Sequence, residues 1–302
     1  MNAPAKLTLG PLLCNWLAAK RRDFYFRIAD EAPVDTVCVG EVVCLKRAPF
    51  ADPVLPEIVA RLNEAGKEVV LSTLALVSGE RELAAVRAVV DEATLLVEAN
   101  DMAAVSLLAG RPHAVGPLVN VYGEDTLAWL AARGARRVCL PAELPLSAIA
   151  ALAREAPAEI EVQAFGRLPL AISARCYHAR AHGLHKDGCR YVCEQDPDGL
   201  TVATLDGAPF LAVNGTQTLS HRCADLLADL PALVAAGVGR FRLWPQDTDM
   251  VAVARLYRDA LDGRVELPAA RADLARLLPG MEFSNGFLHG REGMAFVAAA
   301  GV

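Results

Sequence analysis

The residues best able to do chemistry fall in one stretch, 175–194, reading RCYHARAHGLHKDGCRYVCE. It holds three of the eight cysteines, Cys176, Cys189 and Cys193, and three of the six histidines, His178, His182 and His185. Arg175, Arg180, Lys186 and Arg190 lie among them. The stretch is polar and has no apolar period, so it reads as a loop and not as core. Soft thiolate and imidazole ligands gathered in one loop point to a bound metal. Twelve residues separate the first two cysteines and three the next pair. That spacing is neither the paired CxxC of zinc ribbons nor a common ferredoxin run.

Three thiolates are one short of the four that an iron–sulfur cluster usually takes. Cys38, in the second predicted strand, is the first candidate for the fourth. Cys14, Cys44, Cys139 and Cys223 are the others. The ordinary role of an isolated cysteine is a small buried hydrophobe. That role suits Cys139, and it suits Cys14 and Cys44 as readily as ligation does. Zinc is the rival metal, because the histidines could complete a three-cysteine, one-histidine set. HARAHGLH lacks the ligand separation of a finger, however, so iron–sulfur ranks above zinc.

Elements that could position this loop are legible as eight apolar runs, each leading into helical spacing or an excursion. The runs are LTLGPLL (7–13), DTVCVGE (35–41), KEVVLST (67–73), ATLLVEAN (93–100), HAVGPLVN (113–120), RRVCLP (136–141), EIEVQAF (159–165) and GRFRLWP (239–245). Gly66, Gly134 and Gly237 fall where helix C-caps belong. Eight strand–helix units predict an α/β fold, a closed (β/α)8 TIM-type barrel of parallel strands. An open doubly wound sheet is the alternative, but no G-x-G-x-x-G follows any strand.

The spacing breaks after the seventh strand, where roughly 70 residues intervene before the eighth. The cysteine loop, 174–200, lies in this excursion, with an extra strand expected over 210–220. Loops after strands form the functional face of such barrels, so the loop belongs to that face. The barrel is assigned to 1–264 and a C-terminal tail packed on it to 265–302. Glu41, Glu98, Asn100, Asn120, Tyr122 and Arg167 fall at or just past strand ends. An arginine fork such as Arg167 or Arg242 would suit a small carboxylate; salt bridges inside the barrel are the plainer reading.

Composition sets outer bounds. The 302 residues are 54% hydrophobic and 22% charged, enough for a large core. The formal charge of −6 argues against a general nucleic-acid binder. No window of eighteen uncharged apolar residues is present. MNAPAKLTLG lacks a secretory h-region, so cytoplasmic residence is expected, with reduced cysteines and no disulfide framework. Neither G-x-S-x-G nor H-E-x-x-H occurs, and the adjacency of Cys176 and His178 does not set a nucleophile–base geometry.

Several segments carry a family resemblance: EVQAFGRLPLAISARC (161–176), the Cys189–Cys193 pair, DTVCVGEVVCLKR (35–47), NGTQTLSHRC (214–223) and RLWPQ (242–246). Together they resemble the ubiquinone-biosynthesis branch of the collagenase-like peptidase family, over most of the chain. The wider family usually has a cysteine seven residues before the one matching Cys176; here Pro169 stands in that place. The resemblance implies a 4Fe-4S cluster on Cys38, Cys176, Cys189 and Cys193, with Cys223 near a ligand position of the partner-type pattern. It also implies a heterodimer with UbiU that supports oxygen-independent hydroxylation of ubiquinone precursors. Prephenate is the oxygen donor it suggests, and a lipid-binding accessory protein would carry the polyprenyl intermediates. A peptidase or RNA-hydroxylating enzyme of the same family, and a zinc-stabilised binding subunit, remain as rivals.

Overall fold

Each of the eight apolar runs forms a strand in the computed structural model, which describes residues 4–298. They are β1 (Lys6–Leu9), β2 (Thr36–Val39), β3 (Glu68–Ser72), β4 (Leu96–Ala99), β5 (His113–Val115), β6 (Ala135–Cys139) and β7 (Glu159–Ile172). An excursion then adds β8 (Leu200–Ala203), β9 (Pro209–Asn214) and β10 (Gln217–Asp225) before β11 (Arg240–Leu243) and β12 (Phe283–Ser284). Strands β1 to β7 pair in order and in parallel. β11 pairs in parallel with both β1 and β7, which closes an eight-stranded barrel. Gly66, Gly134 and Gly237 carry φ of 73°, 105° and 97° at the ends of their helices, as C-caps require.

The outward faces of the strands bury Val37, Val39, Val69, Val97, Val115, Val138 and Phe241. Helices such as Leu55–Glu64, Glu80–Glu92 and Leu146–Ala153 cover them with Ile58, Leu62, Val86, Val90, Ile149 and Leu152. The inside of the barrel differs from the branched aliphatic filling common to such folds. Toward the strands' N-terminal ends, Arg137 reaches Glu68 and Glu159, each at 3.0 Å. Arg240 reaches Glu159 at 3.1 Å and the Thr36 hydroxyl at 2.6 Å. One layer further, fully buried Arg242 donates to Glu98 and, at 2.6 Å, to Glu161.

The excursion begins inside β7. Its first half lies in the barrel wall, and its second half leaves the wall to pair antiparallel with β10. The strand expected over 210–220 is two strands, β9 and β10, joined by the turn at Gly215 and Thr216. The tail contains the helix Leu267–Leu277, which buries Ala270 and Leu274, and β12, which pairs in parallel with β10. The last four residues of the assigned tail and the first three of the barrel segment lie outside the described residues. No helix among the described residues is long and apolar enough to cross a membrane.

Candidate metal centre

Cys176, Cys189 and Cys193 line one small cavity, and Cys44 lines it with them. Cys176 caps the short helix Tyr177–Ala181; its sulfur accepts from Ala179 N at 3.4 Å and donates to the Gly215 carbonyl at 3.1 Å. Cys193 accepts from Asn15 Nδ2 at 3.5 Å. Two of the sulfurs thus have N–H donors aimed at them. Burial pushes the Cys44 and Cys176 thiols up.

Cys38 is elsewhere. Side chains alternate across a strand. The Thr36 hydroxyl meets Glu68 and Arg240 inside the barrel, so Cys38 faces inward too. Its thiol is pushed far up, chiefly by burial and then by Glu98. The structure therefore does not bring Cys38 to the cavity, because the inner layer of the barrel holds it. Cys139 is buried in the same interior. Cys14 and Cys223 are buried, and burial pushes both thiols to about 12. Cys223 contacts Gln246 at 3.8 Å and does not line the cavity.

Cys44 sits in the loop after β2, where a barrel keeps its functional groups. Glu41 shapes that loop: its Oε1 accepts from Val43 N at 2.9 Å and Cys44 N at 3.0 Å. Glu41→Ala should strand these two donors, at about 1–3 kcal/mol in stability if both stay dry. It should also raise the rate at which a chelator strips metal from the site. Glu41→Gln, which keeps an accepting oxygen but gives up the charge facing buried Arg47 at 3.7 Å, should be stripped more slowly than Glu41→Ala. Equal stripping rates in wild type and Glu41→Ala would remove Glu41 from this role.

A polar hub that the motif reading passed over supports the cavity from below. Asn214 accepts from Asn15 N at 3.0 Å and Arg47 at 2.6 Å, and donates to the carbonyls of Cys193 and Asp196, each at 2.8 Å. Arg47 also donates to Leu13 O at 2.8 Å, and the Thr216 hydroxyl to Val43 O at 2.8 Å. Gly215 has φ of 69°, and a Cβ there would stand 2.3 Å from Arg47 Nη2. The primed hairpin turns require such a conformation, and the missing Cβ lets the guanidinium in. The Asn-Gly pair in NGTQ was the available signal for this hub.

The electrostatics suit an anionic guest. Arg47 is fully buried, its Nε has no partner, and it lines the cavity with Lys46 and Lys186. A cluster held by four thiolates is anionic overall, so three cations around it offset its charge. Size matters as well. Four sulfurs around one zinc ion stand about 3.8 Å apart, given Zn–S bonds of about 2.3 Å. No three of the cysteine sulfurs lie within 4.8 Å of one another among the described residues. The cysteine sulfurs are therefore not drawn together as closely as those of a closed mononuclear zinc site.

The residues expected at the barrel mouth are mostly committed. Glu98 serves Arg242, Ser72 and Asn100, and Asn100 is buried. Arg167 spends one amino group on the carbonyls of Ser220 and His221. Tyr122 is exposed and 3.5 Å from Glu143. A depression at the mouth is lined by Asn120, Glu143, Gln163 and Pro169, with neither lysine nor arginine on its wall.

These features define a parallel (β/α)8 barrel whose excursion closes a four-cysteine cavity over the loop after β2. The chain belongs to peptidase family U32, whose profile matches residues 25–296. It is 30% identical over 153 residues to 23S rRNA 5-hydroxycytidine C2501 synthase of Escherichia coli K12, which covers 49% of this chain and 22% of that protein. The chain thus spans well under a third of that relative's length. Among solved structures it is similar to a phospho-2-dehydro-3-deoxyheptonate aldolase of Thermotoga maritima, with 12% identity, a TM-score of 0.44, and coverage of 93% of this chain and 71% of that one. A tryptophan synthase complex of Pyrococcus furiosus gives 12% identity, a TM-score of 0.41, and coverage of 91% and 99%.

Proposed function

We propose that this chain is the UbiV-type iron–sulfur subunit of an oxygen-independent hydroxylase that acts on ubiquinone precursors. The observation that carries the reading is the cavity lined by Cys44, Cys176, Cys189 and Cys193 in a chain of the U32 family. In this proposal these four residues, and not the set with Cys38, hold a 4Fe-4S cluster. Such a cluster, when bound, supplies one-electron transfer. Four thiolates leave no iron position for substrate, so the chain's own part is to hold the cluster, set its potential and exclude water. Lys46, Arg47 and Lys186 would raise that potential by offsetting negative charge.

UbiU is the proposed heterodimer partner, and a lipid-binding accessory protein the proposed carrier of precursors. The depression at the barrel mouth carries Glu143 and no cationic side chain. A second depression beside the cysteine cavity is lined by Lys46, Arg81 and Lys186, which suit prephenate, the proposed carboxylate oxygen donor. The second reading is hydroxylation of an RNA base. The name of the E. coli relative supports it, and the net charge of −6 counts against it.

Deletion of the coding sequence from its host tests the choice. Loss of ubiquinone only in cultures grown without oxygen is the expected result. Normal ubiquinone there, with a hydroxylated base missing from rRNA, would replace the first reading with the second.

A further inference from the structure

A second group of metal-ligating side chains lies beside the cysteine loop. His178 is in the helix Tyr177–Ala181, and His182 follows it by four residues, on the same face. Their rings stack with centroids 5.4 Å apart and planes 10° from parallel. Asp196 comes from the segment just after Cys193. One ligand atom from each of the three residues lies within 4.8 Å of the other two.

The hydrogen-bond pattern of His178 points to a cation. The ring is fully buried, and Nδ1 lies 3.1 Å from the Val213 carbonyl oxygen. A carbonyl only accepts, so Nδ1 carries the hydrogen and Nε2 of the neutral ring carries a lone pair. That lone pair faces Asp196 Oδ2 at 3.0 Å, and Nε2 makes no hydrogen bond. Two acceptors at this distance repel unless a positive centre joins them. Ligand atoms about 2.0–2.1 Å from one zinc ion stand about 3.3 Å apart in a tetrahedron, close to this separation. The second nitrogen of a metal-bound histidine usually donates to a backbone carbonyl, as Nδ1 does here.

We propose that His178, His182 and Asp196 bind one divalent transition-metal ion of the zinc type, separate from the cysteine cavity. Two imidazoles and a carboxylate leave one position for water. His182 is exposed, so the ion enters from solvent. The site ties the helix that begins at Cys176 to the chain that leaves Cys193. It thereby fixes both ends of the cysteine loop. His185, the third histidine of the loop, instead caps the turn at Gly188 N at 3.2 Å.

Anaerobically prepared full-length protein, dialysed against buffered zinc chloride, tests this. Zinc, iron and sulfide are measured on the same samples for wild type, His182→Ala and Asp196→Asn. Wild type should hold about one zinc per chain more than either variant at the same free zinc, whatever the iron and sulfide content. Equal zinc in all three proteins would overturn the site and leave a protonated His178–Asp196 pair in its place. Iron and sulfide are read independently, so failure of the cluster reading would not imitate failure of this one.

Discussion

Cys44→Ala is expected to lose the proposed iron–sulfur cluster, and Cys38→Ala to keep it. The two residues are six positions apart and differ in surroundings. Cys44 is half-buried on the wall of the cavity that holds Cys176, Cys189 and Cys193. Cys38 is 1% exposed inside the barrel, among Glu98, Arg242 and Glu161. Removing one of four thiolates leaves an iron without a protein ligand and lowers cluster occupancy severely. Removing a small buried sulfur from the barrel costs about 1 kcal/mol of folding stability and nothing in metal binding. Iron content and visible absorbance after anaerobic reconstitution read the first effect, and a urea midpoint reads the second. Full iron in Cys44→Ala with loss in Cys38→Ala would restore the ligand set that the family resemblance implied.

The largest expected effect on stability is at Arg242. Its guanidinium is buried between Glu98 and Glu161. Arg242→Met keeps the volume and leaves both carboxylates without that partner, a change expected to cost about 3–5 kcal/mol at neutral pH. The pH dependence gives a sharper check. Burial alone would push the Glu161 carboxyl up, but Arg242, Arg137 and Arg240 hold it below the usual range. Its folded pKa is therefore lower than its unfolded one. The stability it contributes is complete above the unfolded value, about 4.3, and fades as pH falls through the lower folded value. Without Arg242 the buried carboxyl should prefer its proton, and its folded pKa should rise above the unfolded value. The variant should then regain stability on acidification, so its deficit against wild type narrows as pH falls from 7 toward 5. A deficit constant across that range would show that the carboxylates find other partners.

Local sequence patterns carried the barrel, and longer-range geometry carried the site. Runs rich in Val, Leu and Ile marked all eight barrel strands, because outward faces packed under helices need them. Salt bridges inside the barrel were the plainer expectation for residues such as Glu98 and Arg242, and they form, but the partners were not legible in the sequence. Their pairing depends on which strands meet across the barrel. The choice between Cys38 and Cys44 turned on strand alternation: two residues past inward-facing Thr36, Cys38 faces inward as well. Cys44 lies in the loop after that strand and lines the cavity with the three loop cysteines. Three thiolates were found from spacing alone because they share one loop. The contact between His178 and Asp196 was not, since Asp196 lies beyond the motif and the chain must turn back to bring it near.

The most direct measurement of the central claim is elemental and spectroscopic. The full chain, purified without oxygen and reconstituted with iron and sulfide, should contain about four of each and show the broad visible absorption of a 4Fe-4S cluster that bleaches on reduction. Protein that takes up no iron or sulfide, and carries zinc on Cys44, Cys176, Cys189 and Cys193 instead, would contradict it.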